Sequence, residues 1–508
     1  RAYEAIPYVA NPVDVTYQSM NIFIPEAYFQ GQSINGYTSD TAPIFLPNSV
    51  GGYMPGTAGT VEAGGMHPED SANGTAAQWA LSRGYIVAAP ATRGRTNQAA
   101  DGTYYGKAPA VIVDLQAAVA YLHANDKNMP GNANKIISDG TSAGGAVSLL
   151  LGTTGNHPDF KPYLEALGAA KADTSIFGVI AFCPITNLDN ADKAYEWNFN
   201  SVTSYEKSNL GAGMLPQAAM GSGAPQLPIA ALGDASKSPA NTAESANATN
   251  EKAPMDKPMD GAPNGAAMGA TNGPGKGETV TLSEEDKQYS YMLKAWFPDY
   301  VNSLGLVDQE GHALTLDQDG NGSFKGYVKA FIIEAALEAQ KNGTDISSAT
   351  YFIKDKQGRI VDLDWEAYNA YVGRQKAPGA FDSRANDAGE NNEFGTSTID
   401  NNHFTTIGAY WATNKEAHDG LTIANQHIID MMNPMHYLGN TEAKNAKHYY
   451  IRYGTKDANT SLAIPIIAGT KAQNLGYDVN MKTPYDMGHR GDYDLEEVFN
   501  WADSIVRQ

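Results

Sequence analysis

The chain has 508 residues, 42% of them hydrophobic and 10% aromatic, which is enough apolar surface for a large core and excludes a wholly disordered protein. Its formal net charge of −21 argues against nucleic acid or an anionic membrane surface as a partner, because both would be repelled. No segment approaches the roughly 18 consecutive apolar residues that cross a membrane. A neutral or soluble partner fits this composition better.

Cysteine content and the first residue bear on chemistry and compartment. Cys183 is the single cysteine and lies in an apolar run, so an intrachain disulfide and a cysteine metal cluster are excluded and core packing is expected. We expect neither a metal nor a cofactor. Because the sequence opens at Arg1 without a methionine, we also expect that a signal peptide has been removed and that the protein is secreted, periplasmic or on the cell surface.

Strand-like and helical patterns alternate through the first part of the chain, which is typical of βαβ units and predicts an α/β fold with a mostly parallel sheet. Residues 17–29 come first and alternate more strictly, so we expect an antiparallel strand at the edge of the sheet. The strands predicted after it are 42–48, 84–90, 135–140 and 177–185, and the helices between them are 75–84, 111–123 and 146–152.

A long insertion interrupts this alternation, which stops near Ile185 and returns only with a strand at 447–454. Three predicted elements follow that strand: a helix at 461–476, a strand at 478–483 and a closing helix at 494–508. We therefore expect an α/β core in two parts, 1–187 and 441–508, with an inserted lid domain at 188–440.

The composition of the insertion is uneven. Residues 211–281 contain no aromatic residue, and such a segment cannot bury enough apolar surface to offset the entropy of ordering. We interpret it as a mobile loop, with packing against the lid as the alternative. Helical patterns rich in aromatic residues at 289–306 and 327–340 predict that the rest forms a compact cap, and a lid over an active site is the natural position for it.

The segment SDGTSAGGAV at 138–147 holds Ser142 in a GxSxG pattern between a predicted strand and a predicted helix. This is the context in which GxSxG forms the nucleophile turn of an α/β-hydrolase. Side chains at Gly140 and Gly144 would collide across so sharp a turn, and the amide of Ala143 would point from the helix N-terminus toward developing negative charge. The pentapeptide alone does not separate a nucleophile from a flexible turn, so its partners decide.

An acid and a histidine follow Ser142 in the order that an α/β-hydrolase uses. Asp457 comes after the strand at 447–454, and His489 is the one of ten histidines that lies beyond the last predicted strand. The alternatives are a helix N-cap for Asp457 and a surface loop position for His489. The three residues in this order predict a Ser142–Asp457–His489 triad.

The oxyanion hole of such an enzyme takes a second amide from the loop after the third strand of the fold, which here is PNSVGGYMPG at 47–56. Gly51 and Gly52 are the candidates, beside the amide of Ala143, and the sequence does not decide between the two glycines. An ordinary glycine turn is the alternative.

Two other motifs have structural alternatives. The loop from Asp317 to Ser323 begins like a calcium loop, but the twelfth position is Val328 instead of glutamate, so an EF-hand is not expected. We interpret it as a turn that caps the following helix and leave incidental calcium open. Arg93 and Arg95 could bind an anion or pair with carboxylates, and we favour the structural role.

Five long segments, in order, resemble the bacterial tannase family of secreted or surface-associated α/β-hydrolases. They are 8–29, 47–56, 139–152, 433–438 and 487–503. The resemblance covers nearly all of the chain except the aromatic-free tract. It implies an α/β-hydrolase core with a large lid, and hydrolysis of the galloyl esters of gallotannins or of small alkyl gallates. The serine, aspartate and histidine of that family match Ser142, Asp457 and His489.

The resemblance also implies that two lid residues bind the phenolic hydroxyls of the galloyl ring, a lysine and a glutamate that match Lys376 and Glu390. Glu393 is the alternative to Glu390, and a solvated ion pair is the alternative for the lysine and the acid together. The family pattern has a second acid two residues beyond the triad aspartate, where this chain has Asn459. That difference bears on selectivity for a trihydroxylated ring.

These expectations combine into a serine esterase that acts on a small aromatic ester, in particular a galloyl ester. A feruloyl or other hydroxycinnamoyl esterase is the enzymatic alternative, because Asn459 weakens the argument for a trihydroxylated ring. A hydrolase-like protein that binds polyphenols without cleaving them is the alternative of another class.

Overall fold

The computed structural model describes residues 1–62, 74–207, 278–413 and 423–508. These residues belong to one compact unit. None of the helices in these ranges combines the length and the apolar content that a membrane crossing requires.

Twelve strands occur in the described ranges, eight in a central sheet and four in two hairpins. They are β1 Ala2–Pro7, β2 Ser19–Phe23, β3 Ile44–Pro47, β4 Ile86–Pro90, β5 Ile136–Thr141, β6 Gly178–Phe182, β7 Ser204–Lys207, β8 Glu278–Thr281, β9 Phe352–Lys354, β10 Ile360–Leu363, β11 His448–Arg452 and β12 Asp478–Lys482. The order in the central sheet is β1-β2-β4-β3-β5-β6-β11-β12. From β4 to β12 all neighbours are parallel.

Fifteen α-helices occur in the same ranges. They are α1 Glu26–Phe29, α2 Ala76–Ser82, α3 Ala110–Ala124, α4 Ala143–Thr153, α5 Lys161–Ala166, α6 Leu188–Phe199, α7 Glu284–Ser303, α8 Ser323–Lys341, α9 Trp365–Val372, α10 Gly389–Glu393, α11 Thr406–Tyr410, α12 Gln426–Met431, α13 Pro434–Tyr437, α14 Ala463–Asn474 and α15 Leu495–Val506.

The central sheet is covered on both faces, because every residue of β2, β4 and β6 is buried. Helix α4 packs on β5 and β6, and α15 packs on the sheet through Phe499. The Phe499 ring lies 5.3 Å from that of Phe45 and 5.8 Å from that of Tyr85. The strands predicted before and after the insertion all occur within a few residues of their expected bounds, and the α/β-hydrolase core is confirmed.

The edge of the sheet differs from the prediction. β2, within the segment 17–29, is antiparallel to both of its neighbours as expected, but it lies second in the sheet. The edge strand is β1, which the sequence analysis did not assign. All but one of the six residues of β1 are exposed, so its sequence carries little of the apolar alternation that indicates a strand.

The insertion contributes no described strand to the central sheet between Phe182 and His448. Its aromatic residues form a second hydrophobic cluster around Trp197, whose ring lies 5.3 Å from that of Phe297 and 4.8 Å from that of Trp365. The cluster continues onto apolar residues of α14. The insertion therefore packs as a lid with an aromatic core of its own, while its boundaries at 187/188 and 440/441 stay a prediction.

Most of the aromatic-free tract predicted at 211–281 lies outside the described residues. Its last four residues form β8, which pairs antiparallel with β7 so that Lys207 stands opposite Glu278. The loop prediction is therefore wrong for Glu278–Thr281. Three β-branched residues there, Thr279, Val280 and Thr281, have a partner strand that the tract's composition did not indicate.

The loop before α8 forms a turn, but none of its side chains caps the N-terminus of α8. Oδ1 of Asp317 accepts hydrogen bonds from the amides of Asp319 and Asn321 at 3.0 and 2.8 Å, as a turn of this composition should. The N-cap of α8 is Gly322, however, and no side chain caps the helix. The predicted capping role is wrong because the carboxylate of Asp317 is used within the turn.

Arg93 has the structural role that the sequence analysis favoured. Its Nη2 lies 2.8 Å from Oδ1 of Asp114, and its Nε donates to Oδ2 at 3.0 Å. Both residues are buried. The guanidinium therefore neutralises a buried carboxylate of α3 and is not available to bind an anion.

Candidate active site

Ser142 occupies the sharp turn between β5 and α4. Its φ of 63° and ψ of −122° place it in a region that residues other than glycine seldom adopt. A Cβ at Gly140 would lie 2.4 Å from the carbonyl oxygen of Gly144, and one at Gly144 would lie 2.7 Å from that of Val50. The small residues around Ser142 are therefore a steric requirement of the turn.

Asp457 and His489 are hydrogen-bonded to each other. Nδ1 of His489 lies 2.7 Å from Oδ2 of Asp457, and the other oxygen of Asp457 accepts a hydrogen bond from the amide of Asn459 at 2.8 Å. The Asp457 side chain is fully buried, and α14 begins only at Ala463, which excludes the N-cap alternative. A carboxylate that accepts from Nδ1–H leaves Nε2 of the imidazole free to accept a proton.

Backbone contacts bring this aspartate–histidine pair to the serine turn. The amide of Ser142 donates to the carbonyl of Phe182 at 2.9 Å. The next residue is Cys183, whose Sγ lies within 4.8 Å of a carboxylate oxygen of Asp457 and of a ring nitrogen of His489. Gly491 packs so closely on the end of β5 that a Cβ there would lie 1.8 Å from Oγ1 of Thr141. The histidine loop therefore lies against the residue that precedes Ser142.

The loop after β3 lies across the N-terminus of α4, where the oxyanion hole is predicted. Nδ2 of Asn48 donates to the carbonyl of Gly144 at 3.1 Å, which fixes this loop to the serine turn. The amides of Ala143, Gly51 and Gly52 donate no hydrogen bond to any residue that the structure describes. All three remain available to a developing oxyanion, so Gly51 and Gly52 both stay candidates for the second donor.

Lys376 lies in the segment after α9, beside the loop that carries the acid. The hydroxyl of Tyr195 accepts a hydrogen bond from the Lys376 amide at 3.3 Å and donates to the carbonyl of Ala458 at 3.1 Å. Nζ of Lys376 lies 4.1 Å from the centroid of the Phe381 ring. Because Ala458 stands between Asp457 and Asn459, Tyr195 joins the backbone at Lys376 to the loop that carries both of these residues. Lys376 and Asn459 are partly exposed.

Glu390 lies in α10, on the side of the oxyanion loop. Burial raises the pKa of the Tyr53 hydroxyl well above its usual range, and nearby glutamate charges that include Glu390 add to the effect. Arg95 connects this helix to the loop, because its Nε donates to the carbonyl of Gly52 at 2.8 Å and its Nη1 donates to Oδ1 of Asn392 at 3.0 Å. Lys376 thus lies on the side of the loop that carries Asp457, and Glu390 lies on the side of the loop that carries Gly51 and Gly52.

Comparisons with known proteins decide the family. The structure matches that of Fusobacterium nucleatum tannase with a TM-score of 0.83 and 43% identity, covering 100% of this chain and 95% of that one. Tannin acyl hydrolase from Lactobacillus plantarum matches with a TM-score of 0.81 and 36% identity, over 99% of this chain and 94% of that one.

This chain belongs to the bacterial tannase family. A family model described as BD-FAE, which is an α/β-hydrolase family, matches residues 59–225. A search of curated proteins finds no match. Membership of the tannase family confirms the predicted carboxylic ester hydrolase and its α/β-hydrolase core with an inserted lid.

Within this tannase lid, Glu393 is not equivalent to Glu390. Glu393 is fully buried, and neither of its carboxylate oxygens has a hydrogen-bond partner among the described residues. Burial raises its pKa to about 8, although Arg95 and Lys107 act in the opposite direction. Glu390 is partly exposed and can meet a ligand, so of the two acids Glu390 is the candidate for ring binding.

Sequence reasoning missed two residues that hold this tannase site together. Asn48 joins the oxyanion loop to the serine turn, and its position directly after β3 was a signal for that role. Tyr195 joins the Lys376 segment to the acid loop, but its partner Ala458 is 263 residues away and no local pattern indicates the contact.

Proposed function

We propose that this chain hydrolyses galloyl esters, such as gallotannins and alkyl gallates, as a serine esterase. The observation that carries the proposal is the hydrogen-bonded Asp457–His489 pair beside the Ser142 turn, in a chain of the tannase family. Tannin acyl hydrolases that are 36% identical to this chain have been solved in complex with ethyl gallate and with 3,4-dihydroxybenzoate. Ethyl gallate belongs to the substrate class proposed here, and 3,4-dihydroxybenzoate is a free phenolic acid that resembles the acid product of such an ester.

The proposed reaction runs through an acyl-enzyme. Oγ of Ser142 attacks the ester carbonyl while Nε2 of His489 takes its proton, and Asp457 holds the imidazole in the tautomer that this needs. The amides of Ala143 and of Gly51 or Gly52 stabilise the oxyanion. His489 then returns the proton to the leaving alcohol, and water, activated by the same imidazole, releases the gallate and restores Ser142.

Lys376 and Glu390 supply the groups that a polyhydroxylated ring requires. A carboxylate accepts a hydrogen bond from one phenolic hydroxyl, and an ammonium donates to the oxygen of a neighbouring one. The lysine lies beside the acid loop and the glutamate beside the oxyanion loop, so they can meet a ring whose ester lies between those loops. Asn459 adds an amide on the lysine side.

Hydrolysis of methyl gallate by the wild-type protein and by Ser142→Ala tests the proposal. We expect the variant to lose turnover at an unchanged melting temperature, because only a hydroxyl is removed. Ser82→Ala is the matched control, since the Ser82 hydroxyl bonds within α2 to the carbonyl of Trp79 at 2.8 Å. Equal turnover by Ser142→Ala would overturn the mechanism.

The enzymatic alternative is a hydroxycinnamoyl esterase. A feruloyl esterase is consistent with the match to the BD-FAE family model, and Asn459 stands where the tannase pattern has an acid. A panel of methyl gallate, methyl protocatechuate and methyl ferulate separates the two. The galloyl proposal requires the highest kcat/KM on the gallate, and a preference for the ferulate would replace it. Covalent labelling of Ser142 by a fluorophosphonate would exclude a protein that binds polyphenols without cleaving them.

We also propose that the protein acts outside the cytoplasm, without nucleic acid or membrane as a partner. Support for the location comes from the resemblance to secreted or surface-associated tannases, and support for the partner class comes from the net charge of −21. Fractionation of producing cells tests the location. Confinement of the protein to the cytosolic fraction would contradict it.

A further inference from the structure

Cys183, Asp457 and His489 form a group of metal-ligating side chains beside the serine turn. One donor atom from each, the thiol sulfur, a carboxylate oxygen and an imidazole nitrogen, lies within 4.8 Å of the other two. The sulfur donates to the carbonyl of Arg490 at 3.2 Å, so it faces the same loop that carries the imidazole. Among the residues that the structure describes, no other group of this kind occurs.

We propose that these three side chains bind Zn²⁺ or Cd²⁺ and that the bound ion inhibits the esterase. Thiolate, imidazole and carboxylate together are the donor set of borderline and soft divalent ions. Mg²⁺ and Ca²⁺ prefer sites built from oxygen and are disfavoured by the sulfur and the nitrogen. The inhibition rests on the proposed function, whereas the binding of the ion does not.

The spacing of the donors suits a tetrahedral ion after small shifts. Zinc bonds of about 2.0 to 2.3 Å separate neighbouring ligand atoms by about 3.4 to 3.6 Å. The 2.7 Å between Nδ1 of His489 and Oδ2 of Asp457 would have to widen, and the sulfur would approach the other two donor atoms by no more than about 1.4 Å from the 4.8 Å limit. Three protein ligands leave the fourth position to water.

The charges of the three side chains also favour binding of a divalent ion. The Asp457 side chain is fully buried, and His489, with 15% of its side chain exposed, is the ligand that solvent reaches. On coordination the Cys183 thiol releases its proton to solvent, so thiolate, carboxylate and a divalent cation sum to zero charge. A buried site without net charge avoids the penalty of an unpaired buried ion.

The position of the proton on the His489 ring explains the inhibition. An ion on Nδ1 of His489 displaces the proton from that nitrogen, and the neutral ring then carries a proton on Nε2. A protonated Nε2 is a donor and cannot accept the proton of Ser142. The serine is therefore not activated while the ion is bound.

Fluorophosphonate labelling of Ser142 is the activity test, because vicinal phenolic hydroxyls of a gallate would themselves bind the metal. We expect micromolar Zn²⁺ to slow labelling of the wild-type protein about tenfold or more, with recovery on adding EDTA. Cys183→Ala and Cys183→Ser, each compared with its own zinc-free rate, should need at least about tenfold more Zn²⁺ for the same effect.

A surface pair provides the matched control. Nδ1 of His448 lies 2.9 Å from Oδ2 of Asp478, with no cysteine in the group. His448→Ala should therefore keep the zinc sensitivity of the wild-type protein. Equal zinc sensitivity of the wild-type protein and both Cys183 variants would overturn the proposed inhibition.

Binding is tested separately, by the ultraviolet charge-transfer band of a cadmium–thiolate bond in Ser142→Ala. Cys183 is the one cysteine of the 508-residue chain, so the band reports on that residue alone. We expect it to saturate at about one Cd²⁺ per chain and to be absent after Cys183→Ala in the same background. No band would overturn the metal site. If the zinc-free wild-type protein is not labelled, the proposed function fails, and the cadmium titration still decides the site.

Discussion

At the scale of single residues, the site depends on one strained serine and one buried hydrogen bond. Ser142 keeps a φ of 63° because glycines and alanines around it let the chain turn without a clash. Asp457 accepts hydrogen bonds on both oxygens, one from the imidazole of His489 and one from the amide of Asn459. The carboxylate therefore has a single orientation, which fixes the imidazole.

Asp457→Asn tests that orientation. The amide can place its NH₂ toward Nδ1, which stabilises the tautomer with the proton on Nε2, so we expect kcat on methyl gallate to fall by about 10³ to 10⁴ with little change in KM. Asp478→Asn is the matched control, because Asp478 pairs with His448 at the sheet surface and should leave kcat unchanged. A wild-type rate for Asp457→Asn would move the triad acid elsewhere.

Lys376→Ala and Glu390→Ala test ring binding. In the proposal each residue contacts a phenolic hydroxyl. Its removal should therefore lower kcat/KM more for a substrate that carries those hydroxyls than for one that lacks them. We expect kcat/KM for methyl gallate to fall about tenfold or more beyond any fall for methyl benzoate, since good polar pairs can discriminate by up to about 10⁴. A parallel fall on both esters, or no fall on either, would remove these residues from ring recognition.

At the scale of elements, the carboxyl ends of four parallel strands bring the site together. Ser142 follows β5, Cys183 follows β6, Asp457 follows β11 and His489 follows β12. These strands are consecutive in the sheet, so residues hundreds of positions apart in sequence lie side by side. In the proposed function the lid adds Lys376 from the segment after α9 and Glu390 from α10.

The sequence predicts the triad from the order of strands in an α/β-hydrolase, without any knowledge of contacts, and the structure brings Asp457 and His489 together beside the Ser142 turn as that order requires. The sequence was not sufficient for features that depend on distant packing. β1 is too exposed to show a strand pattern, and Tyr195 meets Ala458 across the lid. Cys183 was predicted as core packing, which its burial confirms, but its position beside the aspartate–histidine pair depends on how β6 and β11 align.

The β7–β8 hairpin predicts that the long segment between its strands is dispensable. Lys207 pairs with Glu278, so a two-residue Asn-Gly turn can join these two residues in place of residues 208–277. The aromatic-free composition predicts little contribution to a core. We expect this replacement to keep the melting temperature within a few degrees and to keep kcat/KM on methyl gallate.

A fall of more than about 10 °C in melting temperature after that replacement would show that the tract packs on the rest of the protein. Unchanged stability with reduced kcat/KM would show instead that the tract contributes to substrate binding. An equivalent Asn-Gly insertion between Lys207 and Ser208 of the full chain is the control for the turn residues themselves.

At the scale of the whole molecule, the lid contains buried carboxyl groups whose pKa values are raised by burial. Asp192 of α6 accepts hydrogen bonds from the amides of Phe381 and Asp382 at 2.9 and 3.0 Å, and burial raises its pKa to about 7. Burial likewise raises the pKa of Glu393 to about 8, against an ordinary value of 4.5. Groups of this kind make the stability of the fold depend on pH.

Glu393→Gln isolates one such contribution. Between about pH 4.5 and 8 the glutamate is ionised in the unfolded chain and protonated in the folded one, so the folded state binds more protons. The free energy of unfolding therefore falls as pH rises through this window, by up to about 1.4 kcal/mol per pH unit from this group. The glutamine does not titrate, so the variant should lose less stability than the wild-type protein between pH 5 and 8.

Denaturant unfolding at pH 5, 6, 7 and 8 measures the difference. Asp192 titrates in both proteins, so its contribution to the pH dependence cancels in the difference between them. The substitution leaves the charges that face Glu393 in place, which are those of Arg95, Lys107 and Glu390. Glu442→Gln is the control, because Glu442 is exposed and should reproduce the wild-type pH dependence. If the stability curves of Glu393→Gln and the wild-type protein run parallel across this range, Glu393 is ionised in the folded protein, and its buried oxygens must then be stabilised by Arg95 and Lys107.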